Sequence, residues 1–155
     1  METVRDGDIE IVMAGPTGYG NNVLVVIDRG TNEAAFVDAP GDPEANIAAA
    51  EAAGVTPKAI FLTHGHFDHT PAIDALKQKF GAKLLADGAE PGVKDGQLDQ
   101  AVAHGDTFKL GNLDVRVLSV PGHTPGSTTY VIGKHAFVGD TLFPGGPRRS
   151  KDNAA

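Results

Sequence analysis

A layered α/β protein, built around a largely antiparallel or mixed sheet, is what this 155-residue chain predicts. Three observations carry that expectation. The elements run as strands, a helix, a strand, a helix, then mostly strands. Two segments, Gly41-Asp42-Pro43-Glu44 and Thr70-Pro71, have the cap-plus-proline signature of a helix start. Short apolar runs bounded by Gly, Pro, Asn or Asp fill most of the remainder. No internal repeat occurs at solenoid periods.

The first two strands are expected at 9–14 and 22–28, the second holding Val23-Leu24-Val25-Val26-Ile27. A loop, Gly15-Pro16-Thr17-Gly18-Tyr19-Gly20, separates them. Asn32-Glu33 turns into a third strand over 35–38. Asp42 and Pro43 start an alanine-rich helix that ends near Gly54. The apolar run Ala59-Ile60-Phe61-Leu62 reads as a buried strand within 58–63. Thr70 and Pro71 open a second helix, with Ile73, Leu76 and Phe80 on one face and Gly81 as its stop. A short strand is expected at 83–86, and 87–105 is weakly patterned. Two hairpins follow, 107–110 with 113–120 around Gly111-Asn112, and 127–132 with 135–139 around Gly133-Lys134. Beyond Asp140 a Pro-Gly-Gly-Pro loop is expected.

Composition narrows the function. A formal net charge of -7 argues against a nucleic-acid partner, which calls for a basic stripe. The one basic cluster, Arg148-Arg149-Ser150-Lys151, reads as a solvated tail. No cysteine is present, which excludes disulfides and thiolate metal sites. No apolar run reaches membrane-spanning length, and Met1-Glu2-Thr3-Val4-Arg5-Asp6 lacks the apolar core of a signal peptide. A cytoplasmic protein without a membrane partner is the default expectation.

Chemistry concentrates in three places, each directly after an expected strand. In Thr63-His64-Gly65-His66-Phe67-Asp68-His69-Thr70, three imidazoles and one carboxylate fall within six residues, which ordinary core packing does not require. Gly65 permits a sharp turn that can aim His64 and His66 at one point, with Asp68 and His69 reaching a second. Such donors suit zinc, and also iron or manganese. His123, in Pro121-Gly122-His123-Thr124-Pro125-Gly126-Ser127, is a lone histidine of a kind more often structural, but its strand-end position matches the first cluster. Asp140, in Gly139-Asp140-Thr141, would ordinarily be a turn residue, yet a carboxylate bridging two cations makes chemical sense there. His104 and His135 are read as surface residues.

These three motifs, in this order, resemble the metallo-β-lactamase fold superfamily, and within it the glyoxalase II-like hydrolases. The resemblance runs from about Asn21 to Gly146. It implies that His64, His66 and His123 ligate one metal, that Asp68 and His69 ligate a second, and that Asp140 bridges them. It implies Zn2+, one or two ions, with Fe2+ or Mn2+ as alternatives. A hydroxide held there would attack a small ester or thioester, with Asp68 orienting the water or accepting its proton. Thr63, Gly65 and Thr124 would shape the backbone behind the ligands. Tyr19 and Asn21 would lie at the mouth of the site.

The implied fold is an αββα sandwich, read here as a single domain over 1–155 with the last helix and strand of its second half missing and 144–155 as loop and tail. The family's final histidine would complete the second metal site, and no histidine follows His135. That site is then one protein ligand short, and the glutathione-recognition residues of glyoxalase II lie largely in the part not represented. Uncovered sheet surface would favour a homodimer. Two further readings follow: a mononuclear iron enzyme resembling the persulfide dioxygenases, using His64, His123 and Asp140, and a non-catalytic metal-binding domain.

Overall fold

The computed structural model describes residues 2–14, 22–41, 43–63, 70, 72–88, 93, 96–119 and 128–138, and the backbone of 141–144. Two sheets stack face to face. The first contains β1 (Glu2–Asp6), β2 (Ile9–Ala14), β3 (Val23–Asp28), β4 (Glu33–Val37), β5 (Ala59–Phe61), β6 (Lys83–Asp87) and β7 (Gln100–Val102), side by side in that order. Strands β1 to β4 are antiparallel, while β4 to β7 are parallel. Helix α1 (Pro43–Ala53) connects β4 to β5 and α2 (Ile73–Phe80) connects β5 to β6, as parallel neighbours require. The second sheet is wholly antiparallel, in the order β12 (Thr141–Pro144), β11 (His135–Val138), β10 (Thr128–Ile132), β9 (Leu113–Ser119), β8 (Thr107–Leu110).

The apolar runs are continuous because the first sheet is covered on both faces. In β3, Val23, Val25 and Ile27 face the helices, and Leu24 and Val26 face the second sheet. Phe36 and Ile60 join Ala49, Ala50, Ile73, Leu76 and Phe80 in the helix-side core. Phe61 and Leu85 meet Val115, Val117, Tyr130, Ile132 and Phe137 between the sheets. Both helices pack on the first sheet, so the described residues form an α-β-β stack, in keeping with the expected αββα sandwich whose second half lacks its last helix and strand. On the outer face of the second sheet Val138 is 41% exposed, and Val131 and Ala136 are half-buried.

Several boundaries differ from the sequence reading. Strand β1 was not signalled, because Glu2–Asp6 has little apolar alternation; it forms by pairing with β2. Strand β7 arises in the weakly patterned region by parallel pairing with β6. Residues 141–144 form β12 rather than loop, and Pro144 is tolerated because β12 is the outermost described strand. Helix α2 begins at Ile73, so Thr70 is not its cap; Ala72 stands at that position without a side-chain cap bond. Its expected stop holds: Gly81 has φ 69° and donates its N–H to Lys77 O. Asp42, Pro71 and the basic cluster at 148–151 lie outside the described residues.

Candidate functional site

Strand register gathers the flanks of all three donor clusters at one end of the sandwich. Strands β4, β5 and β6 run parallel, with Val37 beside Phe61 and Phe61 beside Leu85, so their C-terminal ends lie together. In the second sheet Ser119 pairs with Thr128, Tyr130 with Phe137 and Val138 with Thr141. The end of β9, the start of β10, the end of β11 and the start of β12 therefore share one edge of that sheet. A backbone hydrogen bond from Thr128 N–H to Thr63 O, 2.7 Å, joins the two sheets at this point. Thr63 immediately precedes the first cluster and Thr128 immediately follows the second. Residues at the C-terminal ends of parallel strands are a recurrent location for ligand sites in α/β sheets.

The segment entering the first cluster is held by buried polar groups. Asp38 is 2% exposed and has φ 62°, the left-handed region that Asp tolerates better than most residues. Its Oδ1 accepts Thr63 N–H at 2.6 Å and its Oδ2 accepts the Thr63 hydroxyl at 2.7 Å. Its own N–H donates to Phe61 O at 2.9 Å. The Tyr130 hydroxyl, fully buried, reaches Leu62 O at 2.9 Å and Leu85 O at 3.2 Å. Burial, and then the carboxylates of Asp38 and Asp87, push this phenol well above its ordinary pKa, so it remains a donor. At the same end, Ser119 N–H donates to His104 Nδ1 at 3.0 Å.

The expected ligands His64, His66, Asp68, His69, His123 and Asp140 lie outside the described residues, as do Tyr19, Asn21, Gly65 and Thr124. Among the described residues no group of three or more His, Asp or Glu side chains gathers into a metal site. The donor set itself, four imidazoles and two carboxylates without a thiolate, fits Zn2+, Fe2+ or Mn2+. Thr63, the last described residue before the first cluster, is 2% exposed, with its hydroxyl bonded to Asp38.

His104 is exposed as expected, but His135 is not: it is 2% exposed. Its Nε2 lies 2.9 Å from Asp6 Oδ2, and among the described residues its Nδ1 has no hydrogen-bond partner. Sequence reasoning missed the strand, β1, that supplies this carboxylate. It also missed Asp38 and Tyr130. The only sequence signal for Asp38 was an acidic residue ending an apolar run; Tyr130 carried none beyond a polar tip on an inward-facing strand position.

A two-sheet α/β sandwich with its candidate site at the strand ends defines a class, and the comparisons agree with it. A family model described as the metallo-beta-lactamase superfamily matches residues 15–153, so the chain belongs to that superfamily. It is 36% identical over 138 residues to a hydroxyacylglutathione hydrolase of a Chelativorans species, covering 88% of this chain and 52% of that protein. It is 38% identical to the enzyme of the same name from Brucella ovis, with the same coverage. The chain thus spans about half the length of these curated relatives. Among solved structures it resembles ETHE1 from Myxococcus xanthus, with TM-score 0.72 and 26% identity, covering 92% of this chain and 62% of that one. It also resembles the B3 metallo-beta-lactamase BLEG-1, with TM-score 0.65 and 27% identity, covering 80% of this chain and 66% of the other.

Proposed function

We propose that this chain carries a metal-dependent hydrolase site for a small ester or thioester, similar to glyoxalase II. The observation that carries the reading is the joining of the two sheets by Thr128 N–H and Thr63 O, between the first and second donor clusters. His64, His66 and His123 would hold one cation, Asp68 and His69 a second, and Asp140 would bridge. A bound divalent cation supplies a nucleophilic water of pKa about 7 and polarises the substrate carbonyl. Asp68 would orient that water or, with only one cation held, accept its proton. Behind them, Asp38 and Thr63 fix the entering chain, and the buried Tyr130 phenol holds it from the facing sheet. The relatives' name, hydroxyacylglutathione hydrolase, favours a thioester over an oxygen ester. We assign zinc as the metal, a small molecule as the partner and the cytoplasm as the setting; among the described residues no helix is long and apolar enough to cross a membrane. Val131, Ala136 and Val138 would provide the apolar part of a homodimer contact.

The test is metal content after purification without added metal, alongside thioester turnover. Zinc at one to two equivalents with hydrolysis is the expected result. His66→Ala should lose at least one equivalent of metal and lower turnover by about 100-fold or more, beyond what loss of a supporting residue produces. The likeness to ETHE1 favours a second reading, a mononuclear iron persulfide dioxygenase-like enzyme with His64, His123 and Asp140 as ligands. About one iron per chain, with oxygen uptake on glutathione persulfide and no hydrolysis, would replace the first reading by the second.

A further inference from the structure

Leu62 and Thr63 lead directly into the first donor cluster, and all four of their backbone polar groups are committed. Leu62 N–H donates to Leu85 O at 2.9 Å, and Leu62 O accepts the Tyr130 hydroxyl at 2.9 Å. Thr63 N–H donates to Asp38 at 2.6 Å, and Thr63 O accepts Thr128 N–H at 2.7 Å. Two of these four partners belong to β10, the strand that begins where the second cluster ends. A segment held in this way cannot slide or rotate without leaving a buried polar group unpaired.

Tyr130 is a side chain of β10 whose presence packing alone does not explain. Its ring stacks on Phe61, centroids 5.1 Å apart and planes at 22°, a contact phenylalanine would make equally well. The hydroxyl instead carries a desolvation cost in an otherwise apolar layer, offset by the two carbonyls it meets. The stack fixes the ring, and so the position of the hydroxyl oxygen between Leu62 O and Leu85 O.

We propose that Tyr130 is a positioning residue for the metal site: its hydroxyl fixes the chain entering His64 and His66 against the chain leaving His123. This rests on the metal reading above. Removing the hydroxyl frees Leu62 O while the core keeps its shape. The predicted consequence is a looser ligand set, so metal affinity falls by more than the change in fold stability would produce.

The experiment measures zinc affinity of the full chain by competition with a chromophoric chelator. Tyr130→Phe should weaken binding at least about tenfold, the scale of losses seen when a ligand's support is removed. Ile11→Val, a trimming elsewhere in the inter-sheet core, serves as the stability control and should stay within about twofold of wild type while lowering Tm. Tyr130→Phe binding zinc within twofold of wild type overturns the positioning role and leaves the metal reading standing. Wild-type protein that takes up no metal overturns both. Should Tyr130→Phe not fold in plain buffer, it and the wild type are compared in a stabilising osmolyte such as sucrose. A tenfold weakening there supports the inference, and unchanged affinity overturns it.

Discussion

Asp38 combines three properties that rarely coincide: burial, a left-handed backbone and a carboxylate whose two oxygens both accept from one residue, Thr63. Left-handed backbone costs a non-glycine residue free energy, and the two charge-assisted bonds offset it. The Asp38→Ala substitution removes the acceptor and leaves Thr63 N–H buried without it. An expected loss of about 3 kcal/mol follows from bonds to a charged group. Urea unfolding measures that loss. Because Thr63 enters the donor cluster, the same variant should bind metal more weakly, whereas a destabilising change far from Thr63 should not.

The two ends of the sandwich are built differently. At the end away from the donor clusters, the β3–β4 turn is fastened to the β8–β9 turn through Asp28. Its Oδ1 accepts Gly30 N–H at 2.9 Å, while its Oδ2 accepts Asn112 N–H at 2.7 Å and the Thr31 hydroxyl at 3.2 Å. Gly111 has φ 59°, and a Cβ there would collide with the Asp28 carboxylate and the Thr31 hydroxyl. The turn requires glycine both for its backbone and for this close approach. Gly111→Ala should therefore destabilise by about 2 to 3 kcal/mol, above the cost of an incompatible turn alone. Thermal unfolding checks this, with Gly7→Ala as the comparison: Gly7 also has positive φ, but nothing lies within 4 Å of its added Cβ. Element identity was legible where turn chemistry and apolar runs agreed, as in both hairpins of the second sheet. It was not legible for β1 and β7, which carry weak patterns and exist because a neighbouring strand offers unpaired backbone groups.

At the scale of the molecule, three carboxylates among the described residues are lowered below their ordinary range. Glu10 is lowered chiefly by its hydrogen bond from Arg29. Burial pushes Asp28 upward, but Asn112 N–H, Gly30 N–H and the Thr31 hydroxyl together pull it lower. Asp99 is lowered first by Lys77 and then by Leu84 N–H. A carboxylate lowered in the folded state binds fewer protons than in the unfolded chain. Its contribution is therefore complete above the unfolded value, near pH 4, and is lost as pH falls through the lowered folded value. Denaturant unfolding from pH 7 to pH 2 should show a stability plateau and then an acid decline. Asp28→Asn should reduce the plateau and flatten the decline, because its amide cannot accept at both positions. An unchanged acid limb in that variant would show that Asp28 contributes nothing to it.

The superfamily was readable from one dimension, because metal ligation demands particular donor types at short spacings, and the motifs at 63–70, 121–127 and 139–141 carry such types in the sequence itself. Helix faces were readable too: Ile73, Leu76 and Phe80 recur at the helical period, and all three are buried. Tertiary structure decided which polar groups hold the strand ends beside these motifs. Asp38 and Thr63 lie 25 residues apart, Tyr130 and Leu62 lie 68 apart, and Thr128 meets Thr63 across two sheets. It also decided that His135 is buried against Asp6, 129 residues away. Ligand types follow from coordination chemistry, which is local; a buried hydrogen bond depends on which strands become neighbours, and no local pattern encodes that.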